Sequence, residues 1–315
     1  MHRSMLLASP QGLSSDREKG NRLLTWVFRS TAVVALGTLW WFQQQVDASL
    51  GMGWKALRVN WLFKHESFEP FLSAASFLFF IGFWGFLDFF VPSASKHRTF
   101  LSDDLSSWFG GKRIRDQALW YIAPLVIFDL IFPRRHLPES APALGRLVLE
   151  VVAAIAVYDA AFFAWHATLH SNPALYRRVH AKHHKCQVQR APEAVRHTFI
   201  DGSMNVACSI FALNAVGCHP LSRAVYNVVI IGLITELHAG YDFPWQLHRL
   251  VPFGLLGGRL GMKSTIAVER CTCKSSAHIW TARLASFHHQ HRAGDGCPDE
   301  IYAPSLPLPR KRGHP

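Results

Sequence analysis

The stretch "RLVLEVVAAIAVYDAAFFAWHATLH" (residues 146–170) is apolar for the thickness of a membrane and then ends on two histidines. A helix needs about 20 mostly apolar residues to cross the hydrocarbon core, and the run from Arg146 to Trp165 supplies them without a break. The sequence continues "SNPALYRRVHAKHHKC" (171–186), so five histidines, His166, His170, His180, His183 and His184, follow the end of one span. His166 and His170 are four apart and share a helix face, and His180, His183 and His184 repeat the pattern at spacings of three and four. Neutral imidazole is a common nitrogen ligand for iron, zinc and copper, and crowded donors make sense when a cation offsets the crowding. Asp159 lies two helical turns before His166 on the same face. A buried carboxylate there is costly unless paired, so it is read as an acceptor for a ligand's ring N–H.

A single histidine at a membrane edge is usually an interfacial or hydrogen-bonded polar residue. Five in two helix-spaced groups call for another explanation. Trp165 and Tyr176 are read as interfacial belt residues, and Arg177, Arg178, Lys182 and Lys185 as headgroup contacts.

Outward from this stretch the chain keeps a membrane character. Half of its 315 residues are apolar and 17% are charged, below the roughly 25% usual in soluble domains. The runs 23–42 and 71–91 are further spans, and 118–132 is a slightly short one. The runs 204–218 and 224–237 are shorter still and read as a tight hairpin dipping into the bilayer. The expected fold is all-α: a multi-pass membrane helical bundle of about four transmembrane helices plus this hairpin, with a cytosolic histidine-rich cap. Residues 1–22 are expected to form a disordered cytosolic N-terminus, and 23–145 the first three membrane helices with their loops. No cleavable signal is expected, because the apolar run starts only near Leu23.

The net charge of +12 sits in short runs between apolar segments, a pattern that orients helices rather than binding nucleic acid. With a cytosolic N-terminus, one side holds Lys96, Arg98, Lys112, Arg113, Arg115, Arg177, Arg178, Lys182, Lys185, Arg190 and Arg196. The other holds Lys55, Arg58, Lys64, Arg134 and Arg135. The asymmetry puts the histidines on the cytosolic face. His238, in "ELHAGYDFPWQLH" (236–248), returns to that face and is a further candidate ligand. His197 and His248 are open between ligation, hydrogen bonding and surface placement. The six cysteines are scattered and suggest no disulfide framework.

These motifs resemble the fatty acid hydroxylase and sterol desaturase superfamily of membrane di-iron enzymes over about residues 146–259. "HATLH" resembles its first histidine box, "HAKHH" its second, and "ELHAGYDFPW" with "LVPFGLLGG" the approach to its third. The resemblance implies two iron ions held mainly by histidines, dioxygen as oxidant and electrons from a donor such as cytochrome b5 with an NAD(P)H reductase. It also implies a sterol, sphingolipid or fatty acyl substrate, hydroxylated or desaturated, and placement in the endoplasmic reticulum. Removing hydrogen from an unactivated C–H bond needs a strong oxidant, and the protein's part is to hold metal, oxygen and one substrate carbon in register.

The pattern breaks after Gly258, where a third box, H-x-x-H-H, is expected. The chain reads "RLGMKSTIAVERCTCKSSAHIWTARLASFHHQHRAGDG" instead. Read one base out of frame from Gly261, with permitted third bases, this segment yields HEVHHRGGEVYLQKFGTYLDR. The single codons of Met262 and Trp280 impose its Glu and its Asp. Residues 260–315 are therefore expected to be an aberrant, frame-shifted and disordered tail. Alternatively, His288, His289 and His291 in "FHHQH" form a displaced third box. Two other functions stay open: an inactive family member, and a membrane metal-binding or transport protein such as a zinc transporter, which would want ionisable groups at mid-bilayer in several spans.

Overall fold

The computed structural model describes residues 15–99, 108, 111–132, 137–185 and 190–251. They are helical, and the backbone pairing outside helices is a single antiparallel bridge between Arg98 and Tyr241. Among the described residues seven long helices carry the fold: α1 (Ser15–Trp41), α2 (Gln43–Val59), α3 (Phe68–Phe90), α4 (Gly111–Ile131), α5 (Leu144–Ser171), α6 (Phe199–Val216) and α7 (Pro220–His238).

Five are long and apolar enough to cross a membrane: α1 from Asn21, α3, α5, α6 and α7. The expected all-α membrane bundle is present, with three differences in detail. The first helix begins at Ser15 rather than near Leu23, so residues 15–22 are helical rather than disordered. The two runs read as a shallow hairpin are full spans of 18 and 19 residues. Hydropathy hid their length because Asp201, Asn205, Ser209, Ser222 and Asn227 interrupt them, and the fold buries all five between helices. The apolar part of α4, Leu119–Ile131, is the shorter piece, and Pro124 lies inside it.

The core is laid down by α5. Leu147, Val151, Ala154, Tyr158 and Phe162 recur at helical spacing and are buried against α6 and α7. The next residues on that stripe are His166 and Leu169, so the face that forms the core also aims the first histidine inward. The α6–α7 connection is short because Gly217 takes a left-handed conformation (φ 69°) and ends α6, with Cys218 N–H bonding back to Leu213 O at 3.0 Å. Pro220 then opens α7, and His219 Nδ1 accepts from Leu221 N–H. This turn makes α6 and α7 antiparallel, bringing the start of α6 and the end of α7 to the end of the bundle where α5 finishes. Close approach of α3 and α7 depends on Gly232, where an added Cβ would stand 2.9 Å from the Phe80 ring.

The opposite end is pinned by paired charges. Arg223 donates to both oxygens of Glu69 (2.7 and 3.1 Å) and to Asn214 Oδ1 (2.9 Å). Glu150 accepts from Arg146 at 2.6 Å and from the His219 backbone N–H at 2.8 Å. Large apolar side chains such as Trp40, Leu78, Phe90 and Leu149 stay exposed on the outer helix faces, as lipid contact requires.

Candidate metal centre

Local sequence explains how the histidines meet. Pro173 cannot continue α5, and Asn172 caps the next turn by accepting from Ala174 N–H (3.0 Å) and Leu175 N–H (3.2 Å). A π turn follows over Tyr176–His180, closed by Ala181 N–H to Tyr176 O at 2.8 Å. Thr198 fastens it to α6: its hydroxyl donates to Val179 O (2.8 Å) and accepts from Asp201 N–H (3.3 Å) as the N-cap.

The result is one tight cluster. One ligand atom each from His166, His170, His180 and His184 lies within 4.8 Å of all the others. Nitrogens around a single ion at about 2.0–2.1 Å stand roughly 3–4 Å apart, so a small contraction around one cation accommodates all four. The His180 and His184 Nε2 atoms are 2.9 Å apart, which one shared proton or one cation makes favourable. His170 Nε2 is buried without a hydrogen-bond partner among the described residues. The residues present therefore fit a metal ion. Burial, and then repulsion by His180 and His170, depresses the His184 pKa to about 3, so this ring is neutral and able to ligate at neutral pH. Tyr176 covers the cluster, its ring centroid 5.3–6.2 Å from those of His170, His180 and His184.

A second group adjoins the first. The ring centroid of His183 lies 5.4 Å from that of His180, 4.7 Å from His197 and 5.5 Å from His238. His183 Nδ1 donates to Arg196 O (3.3 Å) and His238 Nδ1 to Ile234 O (2.8 Å), which directs each lone pair to Nε2. Burial and the neighbouring imidazoles hold His183 well below the usual histidine pKa. Both nitrogens of His197 are engaged, Nδ1 by Asp201 (3.3 Å) and Nε2 by Ala194 O (2.9 Å). The side chain of His248, and all of His288, His289 and His291, lie outside the described residues.

A carboxylate supports the cluster. Asp201 of α6 accepts the ring N–H of a cluster histidine: its Oδ2 takes His180 Nδ1–H at 2.8 Å and its Oδ1 takes Trp165 Nε1–H at 3.4 Å. Asp159, the carboxylate that the sequence suggests for such a part, is buried on α5. Holding Nδ1–H fixes the His180 tautomer and leaves Nε2 for the cluster.

One further carboxylate ties the surrounding segments down. Buried Asp88, near the end of α3, accepts from Arg98, from Arg190 Nη1 (3.0 Å), from Trp108 Nε1 (2.7 Å) and from the Tyr241 hydroxyl (2.5 Å). It fastens the stretches that precede His197 and follow His238.

Fold and site together define a multi-pass membrane bundle with a partly buried histidine cluster at one end. Residues 151–257 match the family model described as Fatty acid hydroxylase. Cholesterol 25-hydroxylase of Rattus norvegicus is 38% identical over 150 residues, covering 45% of this chain and 48% of that protein. The Homo sapiens protein of that name is 35% identical, with 45% and 52% covered. Cholesterol 25-hydroxylase-like protein 2 of Danio rerio is 32% identical over 231 residues, 66% of this chain and 77% of its own length. The chain spans about half the length of the mammalian relatives it matches. No solved structure matches it. The chain belongs to the fatty acid hydroxylase and sterol desaturase superfamily.

Proposed function

We propose that this protein is a membrane-bound, iron- and dioxygen-dependent oxidoreductase that hydroxylates a sterol-type lipid. The observation that carries the reading is the convergence of His166, His170, His180 and His184 at the end of the bundle where α5 finishes, inside the segment that matches the fatty acid hydroxylase family. The relatives named as cholesterol 25-hydroxylases favour a sterol over a sphingolipid or fatty acyl chain, and hydroxylation over desaturation. His183 and His238 stand where a second iron would sit, with Asp201 orienting the first group. Iron held there would supply the oxidising power that places one oxygen atom of dioxygen into an unactivated C–H bond.

The chain's own residues do the rest. Neutral rings keep their lone pairs for the metal, and Asp201 together with Thr198 locks the His180 ring. Tyr176 covers the cluster, while lipid reaches this end from the bilayer without first crossing water. Electrons would come from a donor such as cytochrome b5 and an NAD(P)H reductase meeting the cytosolic face. The endoplasmic reticulum is the proposed location.

The test is reconstitution of the full chain in lipid vesicles with iron, a reductase system, dioxygen and cholesterol. A product heavier by one oxygen atom, absent from a His180→Ala control, is the expected result; zinc bound without oxygen consumption, whatever lipid is supplied, counts against the reading. A second reading, an inactive relative, is favoured by one observation: no H-x-x-H-H follows Gly258. Sequencing the transcript across codons 250–290 separates the two. An extra or missing base restores the third box, whereas the frame as written favours the inactive protein.

A further inference from the structure

We propose that the two histidine groups are unequal as metal sites: His166, His170, His180 and His184 hold one ion tightly, while the neighbouring His183 and His238 hold a second only weakly. The inference rests on reading this end of the bundle as a metal centre and adds an order of loading to it. The first group offers four nitrogens that already lie within 4.8 Å of one another. Four imidazoles meet the needs of a tetrahedral ion, and they complete the base of a larger coordination shell.

The second group is different in kind. His197 lies at 4.7 Å and parallel to His183, but its Nδ1 and Nε2 face a carboxylate and a carbonyl. With both ring nitrogens turned to these partners, His197 aims neither of them at an ion beside His183. That leaves the Nε2 atoms of His183 and His238, the latter buried without a hydrogen-bond partner among the described residues. Among the described residues these two donors are what the second group offers, and two donors leave most of a coordination shell to water. The difference in supporting contacts runs the same way. The first group is oriented by a carboxylate, from Asp201 to His180 at 2.8 Å, whereas His183 and His238 lean on backbone carbonyls. A charged acceptor makes a ligand more basic than a neutral one does.

Cobalt(II) alone is a sufficient probe, because it binds imidazole and reports its geometry by colour. The full chain in detergent micelles is saturated with Co(II), passed through a desalting column and assayed for retained metal. One equivalent is expected to remain, with tetrahedral absorption. His170→Ala and the milder His170→Gln are expected to lose it while eluting from gel filtration like the parent, and His238→Ala to keep it. Two retained equivalents in the parent would show that further ligands complete the second site, and would overturn the inequality while leaving the metal-centre reading intact. Loss of all metal in His238→Ala would overturn it too, since the groups would then act as one. A parent chain that retains no cobalt would sink the metal-centre reading itself, and the proposal with it.

Discussion

The two ends of the bundle solve opposite problems with similar residues. At one end, Glu69 meets Arg223 in a two-point pair, and Glu150 meets Arg146 and the His219 N–H. At the other end, four imidazoles crowd together with one carboxylate, Asp201, attached to the group. The first arrangement is electrically closed: buried charges are matched, as an apolar surround demands. The second is open by the same standard, with nitrogens facing nitrogens. A membrane bundle tolerates such an end when a ligand closes it, so crowded imidazoles in place of matched charges separate the candidate centre from the structural clasp.

The comparison breaks most visibly at His180, a cluster ring tied to both a carboxylate and another ring. Replacing it with alanine removes a ligand and takes from Asp201 its shortest side-chain partner. Metal affinity is expected to fall by more than the roughly 100-fold that loss of a supporting residue costs, with hydroxylase turnover falling to background. Metal analysis after dialysis checks it, and unchanged affinity would remove His180 from the centre.

At the other end the same kind of deletion should act on stability alone. Glu69→Gln takes from the half-buried Arg223 guanidinium the carboxylate that it meets at two points, a loss of up to about 3 kcal/mol. Thermal unfolding in detergent should drop sharply while metal content per folded chain stays at the parent value. A variant that lost metal in step with stability would erase the distinction between the ends.

Asp201→Asn sharpens the comparison from the open end. The amide still packs, and His180 loses its charged acceptor, so a 10- to 100-fold fall in metal affinity is expected with little change in melting temperature. Competition with a chelator gives the number. An equal fall for Asp159→Asn would give a share of the role to the residue that helical phase suggests.

That contrast marks what the sequence makes legible. His166 with His170, and His180 with His184, are visible because each pair is spaced by one helical turn, and a regular period needs no tertiary knowledge. Asp201 is not visible. It sits 21 residues past His180, and the two meet only through the Asn172–Pro173 break, the π turn and the antiparallel α6. The lengths of α6 and α7 were hidden for a related reason: hydropathy penalises Asp201, Asn205 and Ser209, while the fold satisfies them with His180, with the Tyr158 hydroxyl (3.1 Å) and with the Tyr226 hydroxyl (3.0 Å). Polar residues shared between helices read as interruptions in one dimension and as contacts in three.

Thr198 should give the smallest effect, and it falls between the two behaviours. Its hydroxyl caps α6 through Asp201 N–H and donates to Val179 O next to His180, so it serves the helix and the cluster at once. Removing a cap costs about 1 kcal/mol, and Thr198→Ala is expected to lose about that much stability. Because the same bond seats Asp201 and the π turn, metal affinity should fall with it, though by less than in Asp201→Asn. Thr198→Ser keeps the hydroxyl and should restore both. If serine restored stability but not affinity, the threonine methyl rather than the hydroxyl would be seating the turn. If alanine cost stability with no change in affinity, the start of α6 would belong with the structural clasp, and Asp201 would be held in place without its cap.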